Sequence, residues 1–145
     1  MRAALKRADQ WLNRNYNLHL ELEADLRKLA KLQNRLGSGV AKYESNGTES
    51  HDPDAAKARH DDTLLEYSEQ MARVEKEQHN LRLESLKTRE AIDKLTDPAH
   101  RAIAIDRYLN YMKWEAIAKA EHISNAEVYR RKELMLEKMA EILKT

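Results

Sequence analysis

Cysteine and phenylalanine are absent from this 145-residue sequence, and glycine (three) and proline (two) are scarce. Without cysteine, neither a disulfide framework nor a thiolate metal site can form. Few helix-breaking residues, together with a charged fraction of 35%, are typical of long solvated helices rather than of a sheet protein. We therefore expect an all-α fold.

Long apolar runs are also missing. The segment Met1–Arg7 is basic, but no apolar stretch follows it, so neither a secretory signal nor a membrane span is expected. The expected location is the cytoplasm of a bacterial host.

Charge of a single sign is lacking as well. Lysine and arginine number 26 against 25 aspartates and glutamates, which leaves a net charge of +1. This balance argues against a polybasic binder, so any affinity for nucleic acid must come from the local arrangement of side chains.

Patterns that carry catalysis or bind metals are not found. The six histidines show neither H-x-x-x-H nor H-E-x-x-H spacing, and there is no G-x-S-x-G and no phosphate-binding glycine loop. The groups His51-Asp52 and His60-Asp61-Asp62 are most simply explained as ordinary surface residues. We expect no enzymatic activity, no cofactor and no metal.

Two long helices are predicted over residues 1–95. The first, about Arg2–Leu36, carries two seams with heptad spacing: Leu5, Leu12, His19, Leu26 and Gln33, and Ala8, Asn15, Leu22, Leu29 and Leu36. Gly37 follows the last leucine, where helices commonly end. A loop over about 37–57 contains all three glycines.

The second long helix, about Pro53–Leu95, repeats at intervals of three and four: Leu64, Tyr67, Met71, Val74, Gln78, Leu81, Ser85, Thr88, Ile92 and Leu95. Similar lengths joined by a long loop predict an antiparallel, coiled-coil-like hairpin. Because two such helices bury little apolar area, we expect a homo-oligomer, a dimer or larger.

Asp97-Pro98 begins a new unit, residues 96–145, because a capping carboxylate precedes a proline at the first helical position. Three helices are predicted in it: Pro98 to about Leu109, about Trp114 to Glu121, and Ser124 to about Lys144. The last helix has the best-defined start, since Ser124 and Glu127 form an S-x-x-E capping box.

The short join between the last two helices predicts a helix-turn-helix. Two steeply crossing helices need a small residue where they meet, here Ala118, with Ile117, Ile123 and Val128 filling the wedge. His122 occupies the turn position that is often glycine, and histidine tolerates a left-handed backbone better than most residues.

The outward face of the last helix carries the candidate DNA contacts. With Val128 inward, a helical wheel points Ala126, Tyr129, Arg130 and Glu133 outward, with Asn125 and Arg131 on the flanks. In the major groove arginine bonds guanine bidentately, asparagine bonds adenine, and alanine touches the thymine methyl group. Lys113, before the preceding helix, completes the set of candidate contacts to double-stranded DNA.

The same stretch resembles region 4 of the sigma-70 family, and more closely the sigma-region-4-like domain of phage late-transcription regulators of the RinA and ArpU type. The resemblance rests on Arg107-Tyr108-Leu109, Trp114-Glu115-Ala116-Ile117-Ala118, Ile123-Ser124 and Val128-Tyr129-Arg130. It implies a sequence-specific DNA-binding regulator, a phage or prophage late-gene activator acting at the host nucleoid. The helix from Ser124 would be its recognition helix. Lys113 and Tyr111 depart from the pattern, which usually has serine or threonine and glycine there.

Two alternatives remain open. The layout of a helix-turn-helix with a helical oligomerisation segment is also similar to that of small terminase subunits, which package phage DNA. The chain could instead be an interaction protein that contacts RNA polymerase without binding DNA, as sigma region 4 also does.

Overall fold

The computed structural model describes residues 2–45 and 53–144, and within these ranges the chain is helical and contains no strand. The α-helices are α1 (Ala3–Ser45), α2 (Pro53–Asp93), α3 (Pro98–Ala104), α4 (Trp114–Ala120) and α5 (Asn125–Lys144). A π-helical segment, Ile105–Leu109, continues α3. The expected all-α fold is confirmed.

The start of α3 follows the predicted chemistry. Asp97 has an extended backbone, and its carboxylate accepts a hydrogen bond of 2.8 Å from the backbone N–H of Ala99. Pro98 occupies the first helical position, where no N–H is needed. The predicted helix start at Asp97-Pro98 is confirmed.

The predicted end of the first helix at Gly37 is wrong. α1 continues through Gly37 to Ser45, and no described glycine has a positive φ. A lone glycine in a helix costs only about 1 kcal/mol relative to alanine, so it does not by itself end the helix. The predicted loop, about 37–57, is therefore helical over 37–45 and 53–57, and its remaining residues, 46–52, lie outside the described ranges.

The chain packs as two compact units. The mixed unit consists of Met1–His19 with Asn80–Thr145, and the central unit consists of Leu20–His79. Both long helices thus contribute to both units. The boundary predicted from the sequence, between residues 95 and 96, lies inside the mixed unit.

In the central unit the buried apolar side chains are Leu22, Leu32 and Val74. Three residues of the predicted seams, Leu64, Gln78 and Gln33, are exposed instead. A helix of 3.6 residues per turn drifts by about 20° in each heptad, so a strict seven-residue repeat leaves the buried face after several turns. Leu32 is buried rather than Gln33, because burying a leucine removes apolar surface from water whereas a buried amide would need hydrogen-bond partners.

The mixed unit has one hydrophobic core to which every helix contributes. α1 contributes Leu5, Ala8 and Leu12, and the end of α2 with the residues just after it contributes Ala91, Ile92 and Leu95. Ile103, Ala104 and Tyr108 belong to α3 and its π-helical continuation, and Trp114, Ile117 and Ala118 belong to α4. α5 contributes Val128, Met135, Leu136 and Met139. The three short helices are therefore held in place by the beginning of α1 and the end of α2.

Polar side chains on the predicted seams of the mixed unit find partners. Asn15 donates a 2.8 Å hydrogen bond to the hydroxyl of Thr88, and neither residue is accessible to solvent. The buried hydroxyl of Tyr108 donates to Asp9 at 2.6 Å. Such pairing fixes the register of the contacts and offsets part of the penalty for burying polar groups, while Oδ1 of Asn15 is buried without a hydrogen-bond partner.

A pair of carboxyl groups lies in the central unit. Asp25 and Glu77 are hydrogen-bond partners, and Gln70 donates to the Asp25 side chain at 3.2 Å. Burial and the neighbouring Asp25 raise the pKa of Glu77, whereas the hydrogen bonds from Glu77 and Gln70 lower the pKa of Asp25. Oε2 of Glu77 is buried without a hydrogen-bond partner, which adds to the cost of ionising this carboxyl group.

Replacing Glu77 by glutamine should stabilise the protein at neutral pH. The amide oxygen can still accept from Nε of Arg73, which lies 3.3 Å from Oε1 of Glu77 in the wild type. The amide N–H supplies a donor to Asp25 that does not depend on pH. Because the pKa of Glu77 is raised in the folded protein, its protonated form contributes its full stabilisation below pH 4.5. This stabilisation is lost as the pH rises through the folded-state pKa. The gain should therefore grow with pH, to about 1 kcal/mol near pH 7. Urea unfolding across this range measures it.

Glu75→Gln removes the same charge from an exposed position of α2 and serves as the control. A Glu77→Gln protein that is less stable than the wild type at pH 7 would show that Glu77 is not the proton donor of the pair.

Candidate nucleic-acid interface

The junction of α4 and α5 is a tight wedge. Ile117, Ala118 and Val128 are buried, and Ile123 packs against them while partly exposed. The join is closed by the backbone, because the N–H of Ile123 donates to the carbonyl of Ala118 at 2.9 Å. The four residues predicted to form the wedge are thus brought together, and the methyl group of Ala118 lets the two helices approach.

The turn in this junction is left-handed at His122, whose φ is 57°. Side chains other than glycine rarely adopt this conformation, and histidine, asparagine and aspartate are the usual exceptions. The predicted turn position is confirmed, and the reversal of the chain depends on it.

The start of α5 keeps half of the predicted capping box. The hydroxyl of Ser124 accepts from the backbone N–H of Glu127 at 3.1 Å. A complete capping box would also have the Glu127 carboxylate accept from the backbone N–H of Ser124, and this second bond is not formed. The carboxylate oxygens instead accept from Arg130 at 2.8 and 2.6 Å and from Arg131 at 3.1 Å. Two guanidinium groups compete better for a carboxylate than one backbone amide, since bonds between charged groups are stronger.

The start of α4 is held by unusual contacts. Tyr111 has a left-handed backbone with φ 59°, at the position where the resembling family often has glycine. Its ring stacks on His19 with centroids 4.2 Å apart and lies 5.9 Å from the ring of Tyr16. Packing against α1 therefore offsets the backbone strain. Lys113 precedes α4 with an extended backbone and makes no side-chain cap.

The outward face of α5 is exposed as predicted. Asn125, Ala126, Tyr129 and Arg130 are exposed, Arg131 is partly buried, and Lys113 is exposed ahead of α4. The face includes small, amide, aromatic and guanidinium groups within the first two turns of one helix. This arrangement has the chemistry needed to contact base edges in a major groove.

Tyr129 also braces the junction. Its hydroxyl donates to Glu115 of α4 at 2.8 Å. This bond raises the pKa of Tyr129. The pKa of Glu115 is lowered, chiefly by a hydrogen bond from its own backbone N–H and further by the bond from Tyr129. Tyr129 therefore ties α4 to α5 while 40% of its surface remains exposed.

Sequence reasoning missed two electrostatic features. Glu127 pairs with both arginines, and their hydrogen bonds lower its pKa to about 2. The spacing of three and four residues along a helix was the sequence signal for these pairs. Lys132 and Arg107 also lie over the ring of Trp114, at 5.2 and 5.5 Å from its centroid.

Neither a cluster of metal-binding side chains nor a membrane-spanning helix occurs in the described ranges. No group of three or more histidine, aspartate or glutamate side chains there is arranged to hold a metal ion. His51 and Asp52 lie outside those ranges. Within residues 2–45 and 53–144, no helix has both the length and the apolar character needed to cross a bilayer.

No protein-family model, curated protein or solved structure matches this chain.

Replacing Lys113 by serine should stabilise the mixed unit. The backbone at this position is already extended, so a serine hydroxyl could accept from the N–H of Ala116, while the N–H of Glu115 bonds its own carboxylate. Helix caps of this kind contribute about 0.5–1 kcal/mol, which thermal or urea unfolding can resolve.

Lys119→Ser, at an exposed position inside α4, removes the same charge without offering a cap and should not stabilise. Equal unfolding free energies for wild type and Lys113→Ser would mean that the first turn of α4 has no unsatisfied amide to gain.

Proposed function

We propose that this protein is a sequence-specific DNA-binding transcription regulator that places α5 in the major groove of double-stranded DNA. The observation that carries the proposal is the α4–α5 junction. A short helix, a left-handed turn and a second helix meet there around a small residue, and the first turns of α5 are left exposed.

Individual side chains support distinct roles in this proposal. Arg130 would bond guanine, Asn125 would bond adenine, and Ala126 would meet a thymine methyl group. Arg131 and Lys113 would contact phosphates, which fix position without sequence information. Tyr129 would present its ring while its hydroxyl stays on Glu115.

The biological setting follows from resemblance. The motifs similar to sigma region 4, from Arg107 to Arg130, support a regulator of phage or prophage late genes in a bacterial host. Such a regulator would work in the cytoplasm at the nucleoid and could contact RNA polymerase as well as DNA. Activation is the mode that the resembling regulators imply.

The two long helices are proposed to form an antiparallel hairpin that assembles copies of the chain. In the mixed unit Asn15 meets Thr88, and in the central unit Asp25 meets Gln70. Within each unit, taken by itself, α1 is thus hydrogen-bonded to α2, and this pairing supports the proposal. A two-fold dimer would bind half-sites about 34 Å apart or a multiple of this distance.

Selection of bound duplexes from a random pool, followed by affinity measurements on the winning sequence, tests DNA binding. Arg130→Ala should weaken binding to that sequence about 5- to 150-fold and relax the base preference at one position. Arg130→Lys should also relax the preference while retaining more affinity, because lysine keeps the charge but not the bidentate geometry.

Lys138→Ala removes an exposed positive charge further along α5 and should leave base preference unchanged. If both Arg130 variants keep the wild-type preference, α5 is not the recognition helix. If the wild type shifts no duplex at low salt in the absence of RNA polymerase, the protein acts instead through protein contacts.

A further inference from the structure

The arginines of the candidate interface are already engaged within the chain. Arg130 donates from Nε and from one terminal nitrogen to the two oxygens of Glu127, at 2.8 and 2.6 Å. Arg131 donates to the same carboxylate at 3.1 Å. The three residues, Glu127, Arg130 and Arg131, are called here the carboxylate clamp.

The clamp lies at the surface rather than in the core. The side chain of Arg130 is 60% exposed and that of Glu127 is 30% exposed. An exposed ion pair of this kind is weak in water and exchanges readily. The clamp can therefore open when a better acceptor approaches, and it opens at the cost of separating Glu127 from two cations.

The geometry of the clamp matches that of a nucleic-acid acceptor. A carboxylate offers two oxygens side by side to the guanidinium edge, as O6 and N7 of guanine do in the major groove. Glu127 thus occupies the edge formed by Nε and one terminal nitrogen, which is one of the two edges through which Arg130 could bind guanine bidentately. A base that offers fewer acceptors cannot replace both hydrogen bonds.

We infer that Glu127 is a specificity-determining residue, which competes with DNA for Arg130 and Arg131 and so suppresses binding to duplexes that lack a bidentate acceptor at the right place. This inference rests on the proposed DNA-binding function. A duplex that approaches this edge of Arg130 must displace the carboxylate and bear its repulsion, and among the base edges of the major groove only guanine then restores both hydrogen bonds.

The second carboxylate of the interface acts in the same direction. Glu115 lies at the start of α4 and holds the hydroxyl of Tyr129 at 2.8 Å. The last fifty residues carry nine basic and eight acidic side chains, so the unit has almost no net attraction for phosphates. With so small a net charge, the loss of one carboxylate charge changes the local field substantially.

Glu127→Gln is the direct test, because it removes the charge and keeps the side-chain size. The Ser124 cap is unaffected, since its hydroxyl bonds the backbone N–H of residue 127. Affinity for a pool of short random-sequence duplexes should rise about three- to tenfold, and the plot of log K against log salt should steepen by about 1–2 as two arginines reach phosphates. Affinity for the sequence selected by the wild type should rise less, so the ratio of specific to non-specific affinity should fall.

Glu133→Gln is the matched control, because it removes the same charge from the exposed face of α5, outside the clamp. It should give a smaller rise and leave the specificity ratio near the wild-type value. Equal effects of the two variants on that ratio would overturn the inference, because net charge alone would then explain the change.

The structural premise has a test that needs no DNA. In the free wild type the Nε–H resonance of Arg130 should be displaced and its guanidinium rotation slowed, and both effects should disappear in Glu127→Gln. An Arg130 whose Nε–H resonance and guanidinium rotation are the same in the wild type and in Glu127→Gln would overturn the inference while leaving the proposed function intact. Failure of the wild type to bind any duplex at about 0.05 M salt would overturn both.

Discussion

The candidate interface depends on one hydrophobic core that the short helices cannot form alone. α3 and α4 have seven residues each, and isolated helices shorter than about 12 residues are marginal in water. They persist because Tyr108 and Ile117 pack with Leu12 of α1 and Ile92 of α2 in the mixed unit. The part of the chain that resembles a helix-turn-helix is thus completed by segments that lie far from it in sequence.

Polar contacts then set where α4 and α5 lie on this core. Tyr108 bonds Asp9, and Tyr111 stacks on His19, so the segment between α3 and α4 is attached to α1 at two points. Across the next junction Tyr129 bonds Glu115. The outward face of α5 is therefore presented on a supported framework, while its charged side chains remain at the surface and can exchange partners.

Local patterns predicted well wherever neighbouring residues decide the structure. The all-α class follows from composition, and the cap at Asp97 follows from one carboxylate before proline. The left-handed turn at His122 follows from a three-residue join. Prediction failed where a weak local preference was given too much weight, as at Gly37, or where a fixed heptad was extended over too many turns, as at Gln33. It also missed contacts between distant segments, such as Tyr111 with His19, because no local pattern encodes them. At the interface the exposed residues were predicted, but the pairing of Glu127 with two arginines was not, although its helical spacing was visible.

The central claim is that the first turns of α5 contact double-stranded DNA. The most direct measurement is a titration of the isotope-labelled full chain with random-sequence duplexes at low salt, followed by backbone amide resonances. The account predicts that the largest changes fall on Asn125, Ala126 and Arg130, with smaller ones near Lys113. Changes confined to residues outside α4 and α5, or no change at a DNA excess, would contradict it.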